Sequence, residues 1–194
     1  MSYKVPMFKR PPASLNGWLS PLWLTLLVCS SVAFSLRFAC ATPFAAFSAA
    51  ATLTLDRRDA VLLTGGVWFA NQLVGFTLLN YPWTASSVGW GLALGLAAML
   101  ATFGARCATR MCEGLPWVAG HLAALLAAFA VFEGVLFIAG LFILGGMEAF
   151  GLRIVSWIFV INAGAFLGLL ILHRLARALG FKPARVAGRL LARG

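Results

Sequence analysis

Residues 56–84 read DRRDAVLLTGGVWFANQLVGFTLLNYPWT. The charged turn Asp56-Arg57-Arg58-Asp59 opens the stretch, and no charged residue occurs from Ala60 to Leu79. Those 20 residues match the length at which an α-helix crosses a hydrocarbon core about 30 Å thick. Asn80-Tyr81-Pro82-Trp83-Thr84 then ends the helix, because proline disfavours helix at its own position and at the one before it. A segment of this kind is built for lipid on its outside.

The same pattern repeats on both sides. Toward the N-terminus lie an Ala-rich run from Pro43 to Leu55 and an earlier run from Ser20 to Leu36, where Pro21 suits the first turn of a helix. Toward the C-terminus lie Ser86 to Ala105, Pro116 to Gly145 and Phe150 to Leu172. Pro116 to Gly145 exceeds a perpendicular crossing and is expected to tilt. The reading is an all-α polytopic membrane protein with six transmembrane helices. Residues 1–19 form a basic arm, 20–172 the six-helix domain, and 173–194 a basic amphipathic tail.

Charge placement gives the orientation. If the N-terminus lies inside, 13 of the 15 Lys and Arg residues fall on inner segments: three in the arm, Arg57 and Arg58, Arg106 and Arg110, and six in the tail. Only Arg37 and Arg153 fall outside. That asymmetry follows the positive-inside rule and places both termini in the cytoplasm. A second reading takes the basic arm, the first run and Ala39-Cys40-Ala41 as a secretory signal with its cleavage site; Arg37 interrupts that pattern, and cleavage would not change the downstream orientation.

Composition agrees. Hydrophobic residues make up 62% of the chain and charged residues 10%, with a mean hydropathy of +0.95, against roughly 45–50% and 25% for soluble domains. A soluble globule is excluded. The net charge of +10 sits in short clusters between apolar runs, where it meets anionic headgroups rather than nucleic acid. Cys29, Cys40, Cys107 and Cys112 form no CxxC pair, so they are read as free thiols, with neither a zinc site nor a disulfide framework.

Polar side chains in hydrocarbon are costly, about 2.5–3.5 kcal/mol for a central charge, so each one needs a reason. Asn71 and Gln72 fall mid-way along the third run, Glu133 in the fifth and Asn162 in the sixth, with His121 near the cytoplasmic start of the fifth. The amides suit interhelical hydrogen bonds. Glu133 has no basic residue at its depth and is expected to face a hydrated cavity. His121 reads as a solvated helix-end residue. Ala41, Ala45 and Ala49, like Gly91 and Gly95, form small-xxx-small rows that allow close helix approach; they serve either internal packing or docking of another membrane protein.

Helical spacing from Asn80 sorts the third run further. Gln72 is closer to the face of Asn80 and is expected at a pocket floor, Asn71 projects elsewhere and suits packing, and Asn80 and Tyr81 mark the pocket mouth. Tyr81 and Trp83 also occupy aromatic-belt positions.

The segment Trp68-Phe69-Ala70-Asn71-Gln72-Leu73-Val74-Gly75-Phe76, followed by Asn80-Tyr81-Pro82-Trp83, resembles the BtuM-type predicted cobalamin transporters. These are small six-helix proteins similar to the substrate-binding S-components of energy-coupling factor (ECF) transporters. The resemblance covers about sixteen residues. It implies a multi-pass protein of the bacterial inner membrane whose outer loops and outer helix halves, including Phe38, Tyr81, Trp83, Met147 and Phe150, form a pocket open to the periplasm. In the family, a cysteine beside the YP element binds the corrin cobalt and promotes loss of cyanide. Here that position is Asn80, a hard neutral donor unlike a thiolate; Cys40 is the other cysteine expected on the outer side.

The leading expectation is thus a transport protein that captures cobalamin or a related corrinoid as its transported ligand, with no intrinsic cofactor. Ligand contacts are expected from Asn80, Tyr81, Gln72, Trp83, Glu133 and Cys40, and no metal ligand set is assigned. The protein either acts alone or docks on an ECF-type module through Ala41, Ala45 and Ala49. The chain has no G-x-x-x-x-G-K-[ST] motif, so energy comes from a partner or a gradient. Two other readings are a structural subunit of a membrane complex and an intramembrane enzyme, cobalamin decyanation included.

Overall fold

The computed structural model describes residues 42–178. The basic arm, the first apolar run, Cys29, Cys40, Ala41 and the tail beyond residue 178 lie outside them. The described chain is helical, without a strand: α1 (Phe44–Thr54), α2 (Arg57–Thr77), α3 (Ala85–Met111), α4 (Trp117–Ala139) and α5 (Leu152–Ala178). A π-helical turn, Gly140–Leu144, prolongs α4, and a 3-10 turn, Met147–Phe150, precedes α5. Start signals are local. The Asp56 carboxylate accepts from Asp59 N at 2.9 Å to cap α2, and the Thr84 hydroxyl accepts from Ser87 N at 3.2 Å to cap α3.

Four helices, α2 to α5, are long and apolar enough to cross a membrane. The second predicted run is different. As α1 it has 11 residues and spans about 16 Å at 1.5 Å per residue, half of a hydrocarbon core. The protein is thus a multi-pass membrane protein with four long helices among the described residues, and α1 is a short helix buried in its core.

α1 is the hub: α2, α3, α4 and α5 all pack on it. Every residue from Phe44 to Ala51 is buried. Hydrogen bonds hold it to three of its neighbours. Thr42 Oγ1 donates to Asn71 Oδ1 of α2 at 2.7 Å, Ser48 Oγ and Thr52 Oγ1 donate to the Ala98 and Thr102 carbonyls of α3, and Asn162 Oδ1 of α5 accepts from Ala46 N at 3.0 Å. The last bond satisfies a helix-start N–H that has no partner within its own helix and no water to replace one. Against α4 the contact is aromatic, with Phe44 and Phe132 ring centroids 5.7 Å apart.

Ala45 and Ala49 are therefore occupied internally. Both have 0% of their surface exposed, so neither presents an external docking face; Ala41, the first residue of that row, lies outside the described residues. Gly91 and Gly95 serve the α2–α3 contact. A Cβ on Gly95 would meet the Trp68 ring at 2.7 Å, one on Gly91 would meet Gln72 Oε1 at 2.5 Å, and Trp68 Nε1 donates to the Gly91 carbonyl at 2.7 Å. α3 and α4 run against each other along most of their length, from Gly89 against Leu144 to Gly104 against Val131.

The core is made of small residues and the surface of large ones. Ala97, Ala98, Ala101, Ala105, Ala124 and Ala128 are fully buried, while Leu62, Leu92, Leu96, Leu126, Trp157 and Ile171 are more than half exposed. Such an outside would be an aggregation surface in water; in lipid it is solvated, and small residues inside let helices approach closely. The antiparallel order puts Arg57, Arg58, Arg106, Arg110 and Arg174 at one end of the bundle, with Arg153 at the other.

Candidate functional site: a cavity above the short helix

Between the first residues of α1 and the loops at the end opposite the Arg57–Arg58 turn lies a space lined by described residues. A cavity of about 470 Å³ occupies it. Thr42 and Phe44 form its floor, Asn71 and Gln72 of α2 one polar wall, Trp90 and Leu94 of α3 a second wall, and Phe132, Glu133 and Leu136 of α4 with Ile158 of α5 the rest. Tyr81, Pro82, Ser86 and Ser87 close it on one side of the rim, Ala149 and Phe150 on the other. Pro82, Ser86 and Ala149 are exposed, so the rim reaches the surface at the loop end. Asn71 lies 14 positions after Arg57, about 21 Å along α2, which places the floor well away from the basic end.

Local geometry explains who lines it. α2 ends at Thr77, where the N–H groups of Leu78 and Leu79 both donate to the Val74 carbonyl, and Tyr81 N donates to the Gly75 carbonyl at 3.0 Å. Asn80 takes φ +52°, the left-handed conformation that asparagine tolerates better than most residues. The chain thereby doubles back and lays the Tyr81 ring on Gly75, 2.6 Å from where a Cβ would sit. On the opposite rim, Gly145 N closes the π turn by donating to the Gly140 carbonyl at 2.8 Å, and Gly145 and Gly146 take φ +75° and +77°. The Phe150 ring then stands edge-on to Phe137 at 5.4 Å.

Of the residues expected to touch a ligand, Gln72, Tyr81 and Glu133 line the cavity. Asn80 and Trp83 do not. Asn80 is exposed and serves the turn, and Trp83, 79% exposed, stacks on Phe76 at 4.4 Å. Cys40 lies outside the described residues. Asn71, expected in packing, does both: it accepts the Thr42 bond and lines the wall. The extrapolation from Asn80 along an ideal helix fails because regular helix stops three residues before it.

Thr42, Phe44, Trp90, Phe132, Leu136 and Ile158 went unremarked in the sequence. One signal was present: Ser86, Trp90 and Leu94 recur every four residues, as do Phe132 and Leu136 around Glu133, which is the spacing of one helix face. Glu133 is the sole Asp or Glu among the described lining residues, and no Lys, Arg or His accompanies it. Elsewhere, Asn162 donates through Nδ2 to the Ile158 carbonyl at 2.9 Å, and His121 Nδ1 lies 2.7 Å from the Trp117 carbonyl. Cys107 and Cys112 are free thiols. Among the described residues no three His, Cys, Asp or Glu side chains cluster as a metal site.

Fold and site together define a class, a multi-pass helical membrane protein with a partly polar internal cavity. No family model, curated protein or solved structure matches the chain.

Proposed function

We propose that this protein is a substrate-capturing component of a membrane transport system, taking cobalamin or a related corrinoid into the cavity from the periplasmic side of a bacterial inner membrane. The observation that supports it most is the lining: amide, hydroxyl and carboxyl groups of Asn71, Gln72, Ser86, Ser87, Tyr81 and Glu133 face the aromatic and aliphatic walls of Trp90, Phe132, Phe150 and Leu136. A large ring with amide arms needs that combination of flat apolar contact and scattered hydrogen bonding. The likeness of residues 68–83 to BtuM-type proteins supplies the ligand's identity.

The volume sets a requirement. About 470 Å³ suits a drug-sized ligand, since such sites run roughly 300–1,000 Å³. A whole corrinoid is larger, so the reading requires the Pro82–Ser87 and Met147–Gly151 loops to part around it. With Asn80 in a turn and no thiol in the described lining, the ligand is held without cobalt–thiolate ligation by those residues. Transport is driven by a partner module or a gradient, because the sequence has no phosphate-binding motif of its own.

The test is the visible absorption of detergent-purified protein after incubation with cobalamins and removal of free ligand. A corrin spectrum at one ligand per chain is expected. Protein that emerges colourless overturns the corrinoid assignment.

A further inference from the structure

At the basic end of the bundle a second cavity, about 410 Å³, opens between the last turn of α1, the first turn of α4 and the final third of α5. Its polar side chains are Thr54, His121, His173 and Arg174, and no Asp or Glu is among the described residues that line it. The Arg174 guanidinium is held over the Trp117 ring, 5.7 Å from its centroid. The Trp117 ring in turn meets the His121 ring edge-on at 5.3 Å. With Nδ1 of His121 donating to the Trp117 carbonyl, that imidazole is fixed in place. The cavity also abuts the start of α4, whose backbone N–H groups carry partial positive charge.

Its open side is apolar. Leu167 and Ile171 line it and are 60% and 59% exposed, and Trp117 at its lip is 65% exposed. These side chains continue the lipid-facing surface of α4 and α5. A site that is cationic within, aromatic at the lip and aliphatic along one flank matches a phospholipid lying with its headgroup at the interface and its chains along the helices.

We propose that this cavity binds one anionic phospholipid, its phosphate against Arg174 and an acyl chain along Leu167 and Ile171. The inference is independent of the corrinoid reading, since the two cavities share no residue. Arg174 is thereby more than a topology signal; it selects the lipid that seals the gap between α4 and α5.

Native mass spectrometry of the full chain in detergent, titrated with phosphatidylglycerol and with phosphatidylcholine of the same acyl chains, tests it. One phosphatidylglycerol should be retained in preference to phosphatidylcholine. Arg174→Gln should weaken that retention roughly fivefold, the effect of one basic group at an anionic surface, and Arg110→Gln, at the same end but outside the cavity, should not. If Arg174→Gln fails to fold, Arg174→Met, which keeps an apolar stem against Trp117, carries the same expectation. Equal retention of the two lipids, or equal losses in the Arg174 and Arg110 variants, overturns the proposal. Displacement of the lipid by inorganic phosphate overturns it as well, in favour of a soluble-anion site.

Discussion

Replacing Asn162 with leucine removes the bond that anchors the short central helix. Asn162 is 1% exposed; its Oδ1 accepts from Ala46 N at 3.0 Å and its Nδ2 donates to the Ile158 carbonyl at 2.9 Å. Leucine keeps the branching of the side chain but carries bulkier groups, so overpacking adds to the loss of the hydrogen bonds, which sets the least destabilisation expected. The Ile158 carbonyl keeps its helical partner, whereas the Ala46 N–H at the start of α1 is left buried without one. An orphaned buried donor costs about 1–3 kcal/mol. Single side-chain bonds inside membrane proteins have averaged about 0.6 kcal/mol and reached about 1.7 kcal/mol, so the expected loss from the hydrogen bonds alone lies near 1–2 kcal/mol. At about 2–4 °C per kcal/mol for a chain of this size, that loss alone should lower the Tm in detergent by roughly 2–8 °C. A leucine variant as stable as the native chain would refute the claim that α1 is pinned from α5.

Three further outcomes follow from the packing. Gly95→Leu should destabilise by about 1–3 kcal/mol, typical of overpacking, because even a Cβ there meets Trp68 at 2.7 Å; chemical denaturation in detergent reads it. Ala45→Leu should do likewise and lower ligand binding and transport together, since Ala45 is fully buried beside the cavity floor; loss of transport with binding intact would restore a docking role for that row. Reporter fusions after Ser86 and Met147 should read periplasmic and those after Arg58 and Arg110 cytoplasmic, as the distribution of Lys and Arg requires; a cytoplasmic signal at Ser86 would reverse the assigned orientation.

Membrane class and the position of the cavity were legible because hydrocarbon penalises polarity so strongly that each exception is conspicuous. Glu133 and Gln72 stood out for that reason and both line the cavity. Tyr81 stood out through the adjacent proline, and it too is at the rim. Asn80 misled for a local reason: a helix face cannot be projected through a left-handed residue, and its amide belongs to the turn rather than the cavity. The greatest loss concerned α1. An Ala-rich apolar run has the same composition whether it crosses lipid or sits inside a bundle, and what sets it apart is its burial by four neighbours, a property of tertiary contacts. Thr42 and Phe44 were hidden with it, because they line a cavity only where that helix begins.

Filling the cavity from its rim tests the central claim most directly. Ala149 lines the cavity yet is exposed, on a short turn between glycines, so Ala149→Trp adds an indole to the rim with little disturbance of the core. Titrated with cobalamin beside the native chain, the variant should keep its thermal stability and lose the corrin absorbance that the native protein retains; stoichiometric corrin binding by both would contradict the assignment of this cavity as the ligand site.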